Sequence, residues 1–457
     1  MKKSIYVLGM AVALFACKQE AAVDYALVSG KIENKDGDFK MMSQDQTFSQ
    51  DIAIAEDGTF ADTLRVDAGT YMFFDGKNFA PVYIENGSNI VINADVSDFK
   101  NSITFSGKGS EVTNYITAKG KSQTELMGEG TSVYELEEDA YKAKASEIKT
   151  ASETLLDAAT GISDDYKAKE KRSLNYAYLG LLNRYERYHA HYAKKPEFKA
   201  SEGFLDELGS VDYNNEEDFE FSQDYKQMVM AHYGKKAQDL MASDSLAYDI
   251  AQLNTFAAIE NQNIKNELLF SSAQNSITYT NDVEGYYAAY MAASTDEENN
   301  AVITESYNKL LTVSKGKPSP KFVNYENYAG GTTSLDDLKG KYVYVDVWAT
   351  WCGPCKAEIP FLKEVEKSYH GKNIEFVSLS VDRPDAYDAW RNMIKEKELG
   401  GIQLLADKNF DSQFVQDYLI KGIPRFILID PNGDIVNSNA PRPSNKKLVE
   451  LFQELNI

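Results

Sequence analysis

Residues 345–356, with the sequence VDVWATWCGPCK, decide the fold of the C-terminal part of this 457-residue chain. The apolar run at residues 342–348 predicts a buried strand, and the helix-forming residues from the cysteine pair to about Tyr369 predict a helix directly after it. The residues beyond repeat this alternation, with predicted strands at 374–381, 401–405, 425–430 and 434–437 and predicted helices at 385–398, 411–419 and 444–455. The pattern predicts an α/β fold in which helices cover a mixed sheet.

The two cysteines of this stretch, Cys352 and Cys355, are spaced for thiol–disulfide exchange. Cys352 stands at the start of the predicted helix, where free N–H groups and the helix dipole favour a thiolate. A thiolate attacks a partner disulfide, and Cys355, on the same helical turn, can then resolve the mixed disulfide. Gly353 and Pro354 keep that turn tight. The cysteine pair is therefore the predicted redox centre, and no other cofactor is expected.

The chain has three cysteines and four histidines, which limits the other uses of the cysteine pair. In an oxidising compartment, two closely spaced cysteines without a competing thiol suit a dedicated redox centre. A zinc site at the pair would need two further ligands, and the histidines offer them only at His189, His191, His232 and His370. His189 and His191 are two residues apart and do not share a helix face, so we interpret them as surface residues and expect no metal.

The first 16 residues have the pattern of an export signal, in which two lysines precede an apolar stretch at residues 5–15. This stretch is shorter than the about 20 apolar residues that span a bilayer, and no later segment approaches that length, so no transmembrane helix is expected. Residues 14–17, LFAC, resemble the lipobox of bacterial lipoproteins, although a cysteine falling there by chance is the alternative. We expect a lipid anchor on Cys17 facing the periplasm or the cell surface, and Lys18 after it favours the outer membrane.

Composition and charge exclude two classes of protein. Hydrophobic residues make up 43% of the chain and charged residues 26%, which is typical of a soluble globular protein rather than a multi-span membrane protein. The formal charge of -22 would repel a phosphate backbone, so we expect no binding to nucleic acid.

The N-terminal region after the signal, residues 17–119, alternates apolar and polar residues in short runs. The turn at Asp57 and Gly58 predicts a hairpin between the flanking runs, and Asn86 and Gly87 mark a second turn of this type. We predict a small all-β sandwich for this region.

The middle region, residues 120–314, is predicted to be an α-helical domain. Glycine is sparse there, and long stretches such as 134–158 and 165–194 carry apolar or aromatic residues at helical spacing. Residues 315–320, with two prolines and a glycine, break this pattern and predict a linker. The third domain therefore spans residues 315–457.

The third domain also resembles a known family. Residues 345–356 resemble the active-site strand and helix start of thioredoxins, and residues 422–424, GIP, are similar to the cis-proline loop of that fold. The lead-in at 333–341, the continuation at 356–360, and an extra helix and strand before the proline loop resemble the exported TlpA/ResA-like branch, over residues 317–457. The resemblance implies a thioredoxin fold with an inserted helix and strand. The order of β-rich and helical regions before it resembles large Bacteroidetes-type thioredoxin lipoproteins.

The resemblance implies catalytic roles for two acidic residues. Asp346 lies on a strand expected to be buried, where a carboxylate is costly without a role, and it matches the thioredoxin acid that accepts a proton from the second cysteine, here Cys355. The lysine that neighbours this acid in thioredoxins is replaced by Ser378. Glu358 matches an acid that several ResA-like reductases place near their cysteine pair, and a surface helix residue is the alternative interpretation.

The resemblance also implies a client-binding surface around the cysteine pair. In the family, the backbone of the residue before the cis-proline pairs with an extended segment of the substrate. Trp348, at the end of the predicted strand, is interpreted as packing under the site. The predicted client-binding residues are Trp351, Gly353, Pro354, Ile423 and Pro424.

These patterns predict an extracytoplasmic thiol:disulfide oxidoreductase that reduces protein disulfides with electrons from a membrane donor. A Gly-Pro spacer favours a potential near about -270 mV, as in thioredoxin, over the about -120 mV of an oxidant such as DsbA. An oxidant or isomerase is the alternative direction, and a thiol peroxidase is an alternative activity on the same fold. A lipoprotein that binds a glycan or a protein, with an accessory redox domain, is the alternative of a different class.

Overall fold

The computed structural model describes residues 23–44, 47–244 and 246–457. The chain forms two compact units, the first made of residues up to Val211 with Glu220–Tyr225 and the second of Asp212–Phe219 with Lys226–Ile457. The predicted signal and the predicted lipid site at Cys17 lie outside the described residues. Within the described residues, no helix is long and apolar enough to cross a membrane.

Eight strands of the first unit build two sheets in its described part. The strands are β1 (Ala26–Glu33), β2 (Phe39–Ser43), β3 (Ser49–Ile52), β4 (Thr59–Leu64), β5 (Gly69–Phe74), β6 (Phe79–Ile84), β7 (Asn89–Asp95) and β8 (Thr104–Lys108). One sheet has the order β4-β1-β7-β8 and the other β3-β2-β5-β6. Apolar residues of both sheets share one core, in which the rings of Phe60 and Phe73 stack with centroids 5.9 Å apart. The predicted β-sandwich is confirmed.

The predicted hairpin at Asp57 and Gly58 is wrong. The strands on either side of this turn, β3 and β4, belong to different sheets, because β3 pairs with β2 and β4 pairs with β1. The turn at Asn86 and Gly87 likewise connects β6 of one sheet to β7 of the other. Both turns connect one sheet to the other. The apolar residues on the two sides of each turn pack into the shared core from two facing sheets.

The first unit also contains helices, the first of them between β7 and β8 and the others after β8. They are α1 (Phe99–Ser102), α2 (Ser110–Met127), α3 (Glu138–Ala158) and α4 (Asp164–Tyr192). The interpretation of His189 as a surface residue is wrong, because its ring is fully buried in α4 and Nδ1 lies 2.9 Å from the carbonyl oxygen of Tyr134. Its ring also packs against Tyr185 and Phe198. His191 is exposed, as predicted.

The helices of the second unit lead to the C-terminal sheet. They are α5 (Glu216–Phe221) and α6 (Gln223–Asp244), which contribute residues to both units, followed by α7 (Tyr248–Ala257), α8 (Gln262–Ser276), α9 (Val283–Ala293) and α10 (Glu297–Thr312). The predicted helical character of the middle region is therefore confirmed. The exact domain boundaries stay predictions.

The C-terminal part is a mixed sheet covered by helices. Its strands are β9 (Tyr325–Asn327), β10 (Thr332–Thr333), β11 (Tyr342–Trp348), β12 (Ile374–Ser380), β13 (Ile402–Leu405), β14 (Arg425–Ile429) and β15 (Ile435–Asn437), in the order β10-β9-β13-β12-β11-β14-β15. Its helices are α11 (Gly353–Ser368), α12 (Tyr387–Lys397), α13 (Gln413–Asp417) and α14 (Lys446–Glu454). The inserted helix and strand are α12 and β13, and β13 extends the sheet by pairing in parallel with β12. This is the predicted thioredoxin fold with its insertion.

Candidate functional site

The central strand β11 brings the cysteine pair and the proline loop to the same edge of the sheet. β11 runs antiparallel to β14, and Val347 near its end lies opposite Arg425 at the start of β14. The residues just before Arg425 therefore run beside the residues that follow Val347, toward Cys352. The peptide bond between Ile423 and Pro424 is cis.

The cysteine pair forms the start of α11. Cys352 is the N-cap residue, and its Sγ accepts a hydrogen bond of 3.1 Å from the backbone N–H of Cys355. The two sulfur atoms are joined in a disulfide, with Cα atoms 5.3 Å apart. A free N–H aimed at Sγ is the contact that stabilises a thiolate at a helix N-terminus. Both side chains are 4% exposed, so a partner disulfide has to approach closely to reach Cys352.

A narrow cavity connects Asp346 to Cys355. It has a volume of about 10 Å³, near the smallest space that holds one water molecule. Asp346 and Trp348 of β11, Cys355 of α11 and Gln403 of β13 line it. Within the described part of the chain, Asp346 Oδ1, Trp348 Nε1 and Gln403 Oε1 are buried and have no hydrogen-bond partner. A small cavity lined by three residues with unpartnered polar atoms suits a single water molecule.

The two acids at this cavity are held toward the protonated form. Burial raises the pKa of Asp346 from 3.8 to about 8, and the negative charges of Glu358 and Glu366 add to the shift. Burial also raises the pKa of Glu366, a second acid that lines the cavity, to about 7, while Lys363 opposes this shift. Ser378 lies opposite Asp346 in the register of β12 and supplies no positive charge. Sequence reasoning missed Glu366, which is recognisable only once α11 and β11 are packed together.

Glu358 points toward Ser444 rather than into this cavity. Its Oε2 accepts a hydrogen bond of 2.9 Å from the backbone N–H of Ser444, and its Oε1 accepts one of 2.9 Å from the Ser444 hydroxyl. Arg442 lies 4.0 Å from Oε1. The alternative of a surface residue is wrong, since Glu358 is 8% exposed. Its contacts fit a buried link between α11 and the segment before α14, and its negative charge still acts on Asp346.

Asp382 holds the loop that leads into Cys352, and sequence reasoning missed it. Its carboxylate accepts the backbone N–H of Thr350 at 3.1 and 3.0 Å, the Thr350 hydroxyl at 2.8 Å and the Ser380 hydroxyl at 2.8 Å. Asp382 is 2% exposed, so these bonds replace water around a buried carboxylate. An acid just past a buried parallel strand is the signal that would have found it, since ligand sites gather at the carboxyl ends of such strands.

The predicted client-binding residues differ in exposure, and Pro424 is buried. Gly353 and Pro354 are exposed, Ile423 is half-buried, and Trp351 is 60% exposed. The ring of Trp351 lies beside that of Phe410, with centroids 6.3 Å apart. Phe410 extends this aromatic surface and was not predicted. Trp348, in contrast, is 2% exposed and packs under the site as interpreted.

In the part of the chain that the structure describes, no group of three or more histidine, cysteine or acidic residues is arranged to hold a metal ion. His189 is packed among aromatic rings, and His232 stacks on Tyr213 with centroids 3.8 Å apart.

Comparison with known proteins agrees with this geometry. The Redoxin family model matches residues 314–451. Thiol-disulfide oxidoreductase ResA of Bacillus thuringiensis (strain Al Hakam) is 33% identical over 133 residues, which are 29% of this chain and 73% of that protein. The chain belongs to the ResA family of thiol-disulfide oxidoreductases.

Other relatives match a similar share of this ResA-family chain. ResA of Oceanobacillus iheyensis is 35% identical over 28% of this chain and 65% of its own length. A solution structure of a proposed thiol-disulfide oxidoreductase from Bacteroides vulgatus is 51% identical and covers 32% of this chain and 93% of its own, with a TM-score of 0.28. The Redoxin match and the ResA relatives show that the protein is a disulfide oxidoreductase and confirm the predicted resemblance to the ResA-like branch.

Proposed function

We propose that this ResA-family protein is a lipid-anchored, extracytoplasmic reductase of disulfides in client proteins. The observation that carries the proposal is the cysteine pair at the start of α11, with Sγ of Cys352 facing the N–H of Cys355 and with Asp346 in the same cavity as Cys355. The first cysteine is therefore prepared to attack, and the second lines the same cavity as Asp346, whose ionised form can take its proton.

The proposed reaction moves two electrons from the cysteine pair to the client. The thiolate of Cys352 attacks one sulfur of the client disulfide, which breaks that bond and releases one client thiolate. Cys355 then loses its proton and attacks Sγ of Cys352. This step releases the second client thiolate and leaves the Cys352–Cys355 disulfide, so the client is reduced and the pair is oxidised. A membrane electron donor of the dithiol type would restore the pair.

Asp346 is the proposed proton acceptor for Cys355. A group that exchanges a proton efficiently has a pKa near the working pH, and burial raises the pKa of Asp346 to about 8. The cavity is about the size of one water molecule, and three of its lining residues carry a buried polar atom without a partner in the described part of the chain. A water bound there would connect the carboxyl group of Asp346 to the thiol of Cys355.

The electrostatics around the pair support the reducing direction. Strong oxidants of this fold stabilise the thiolate of their reduced form, which makes the disulfide easy to reduce. Here Asp346 and Glu366 line the cavity beside Cys355, and as negative or neutral groups they give a thiolate no stabilisation. The reduced pair therefore gives up its electrons readily, and the residues Gly353 and Pro354 between the cysteines agree with this direction.

A redox titration of residues 18–457 tests the direction. The protein is equilibrated in dithiothreitol buffers, and the fraction of Cys352 and Cys355 that resists alkylation is measured. We expect one two-electron transition near about -270 mV. A transition above about -150 mV would instead identify an oxidant or isomerase, and the absence of any transition would support the alternative of a binding lipoprotein.

Trapping with Cys355→Ala tests the client class. This variant forms the mixed disulfide through Cys352 but cannot resolve it, so client proteins should be recovered through a bond that dithiothreitol breaks. The matched control is Cys352→Ala, which lacks the attacking sulfur and should trap none. Equal recovery with both variants would argue against a resolving role of Cys355.

The anchor is tested separately. Cys17→Ser should abolish incorporation of labelled palmitate and release the protein from the membrane fraction, while the lipidated wild type stays with the outer membrane. An unchanged membrane fraction in the Cys17→Ser protein would refute the anchor without touching the redox proposal.

A further inference from the structure

A short loop of the helical region lies against the cis-proline loop in the second compact unit. This supporting loop, residues 277–282, connects α8 to α9. Its first residues are fixed to the end of α8, since the N–H groups of Thr278 and Tyr279 donate hydrogen bonds of 2.9 Å to the carbonyl oxygens of Asn275 and Ser276. Thr278 and Thr280 are buried. The supporting loop is therefore an ordered part of the unit.

Arg425, directly after the cis-proline, holds the supporting loop. Its guanidinium is buried, with 2% of the residue exposed, and it donates hydrogen bonds to the carbonyl oxygens of Ser438 and Thr278. Its guanidinium carbon also lies 5.1 Å from the ring centroid of Tyr279. In the described residues this buried cation has no ion pair, and its partners are carbonyl groups and a ring. Burying a charge in this way costs free energy of folding. Such a cation is expected where it fixes the position of something else.

A second hydrogen bond ties the supporting loop to the strand region after β15. The side-chain amide of Asn439 donates to the carbonyl oxygen of Tyr279. Arg425 and Asn439 therefore donate hydrogen bonds to two successive carbonyl groups of the supporting loop, those of Thr278 and Tyr279. The backbone of the loop, and not only a side chain, is held in place against the redox domain.

The side chain of Tyr279 reaches the cis-proline loop itself. A Cβ atom added to Gly422 would lie 2.8 Å from the Tyr279 hydroxyl oxygen and 3.9 Å from its Cζ. The first distance is below what real Cβ atoms adopt, and the second is an ordinary contact. The Tyr279 hydroxyl thus rests on the backbone of Gly422, two residues before Pro424.

We propose that the supporting loop positions the cis-proline loop for client binding, with Tyr279 and Arg425 as positioning residues. This inference rests on the proposed function and on the expectation from the family resemblance that the backbone at Ile423 pairs with the client. The loop is built onto the residues before and after the cis peptide bond, so moving it displaces the surface that meets the client. The cysteine pair keeps its own contacts, because its Sγ hydrogen bond and its disulfide lie within α11.

The test is a double-mutant cycle on Gly422 and Tyr279 in residues 18–457, with insulin as the disulfide substrate and dithiothreitol as the electron source. Gly422→Ala places a methyl group against the Tyr279 hydroxyl and should raise KM by about tenfold, with kcat and the midpoint potential of the pair unchanged. Tyr279→Phe removes that hydroxyl. In the double variant the nearest remaining atom lies 3.9 Å away, so KM should return to within about twofold of Tyr279→Phe alone.

Gly234→Ala is the matched control, because a Cβ at Gly234 in α6 meets no atom within 4 Å. It should leave KM as in the wild type. The inference is overturned if Gly422→Ala leaves KM unchanged, if the double variant is as impaired as Gly422→Ala, or if the midpoint potential moves together with KM. If the wild type shows a redox transition and the double variant is not rescued, only this inference is refuted. A wild-type protein without a redox transition refutes the proposed function and this inference with it.

Discussion

Replacing Asp346 by asparagine should change how the stability of the redox domain depends on pH. Burial raises the pKa of Asp346 from its ordinary 3.8 to about 8, so the folded state keeps the proton where the unfolded state loses it. The stability of the wild type therefore falls as the pH rises from about 4 to about 8 and is constant above that range. The asparagine side chain of the Asp346→Asn variant does not ionise, so the substitution removes this part of the pH dependence.

The size of the effect follows from the gap between the two pKa values. Each pKa unit corresponds to about 1.4 kcal/mol, so the gap between 3.8 and about 8 corresponds to at most about 6 kcal/mol at high pH. Between pH 5 and pH 9 the wild type should lose about 4 kcal/mol relative to Asp346→Asn, because the folded state releases its proton only at about pH 8. The buried amide adds a cost that is the same at every pH and cancels in this comparison.

Tryptophan fluorescence during urea unfolding measures this difference in the redox domain alone. The three tryptophans of the chain are Trp348, Trp351 and Trp390, all within this domain. The disulfide form is used, so that thiol ionisation does not contribute. Asp388→Asn, at an exposed position of α12, is the control and should follow the wild type. The reasoning is refuted if Asp346→Asn loses stability with pH in parallel with the wild type.

Three further substitutions test the surroundings of the site. Glu358→Ala leaves the N–H of Ser444 without its partner and should lower the free energy of unfolding in urea by about 1–3 kcal/mol. The midpoint potential of the cysteine pair should stay unchanged, and a shifted potential would support a catalytic role of Glu358. Thr350→Val removes one donor to buried Asp382 and should lower the free energy of unfolding by about 1–3 kcal/mol; no loss would mean that the loop does not depend on this bond. Glu366→Gln removes a negative charge that raises the pKa of Asp346, so the pH midpoint of thiol alkylation in the reduced protein should fall. An unchanged midpoint would mean that Glu366 does not influence proton transfer between Cys355 and Asp346.

The local parts of the site could be predicted from the sequence. The strand before Cys352, the helix after it and the inserted helix and strand are encoded by periodicity within short windows, and the structure has them within a few residues of the predicted bounds. The burial of Asp346 followed from its place in an apolar strand. These features depend on neighbours in the chain, which a sequence displays directly.

The parts that sequence reasoning missed depend on contacts between distant residues. The turn at Asp57 and Gly58 has the local chemistry of a hairpin, yet sheet membership is decided by which distant strand each partner meets. Glu358 is buried because a segment 86 residues away supplies two donors to it. His189 is buried where a segment 55 residues earlier in the chain brings the carbonyl oxygen of Tyr134 to its Nδ1. No short window of the sequence contains these partners.

The contact between Tyr279 and Gly422 also has an evolutionary consequence. The hydroxyl group leaves no room for a side chain at position 422, so the two positions are expected to covary among chains that carry both the helical region and the redox domain. Alanine at 422 should be accompanied by a residue without a hydroxyl at 279. Relatives that consist of the redox domain alone are released from this constraint, and their residue at the position of Gly422 is free to vary.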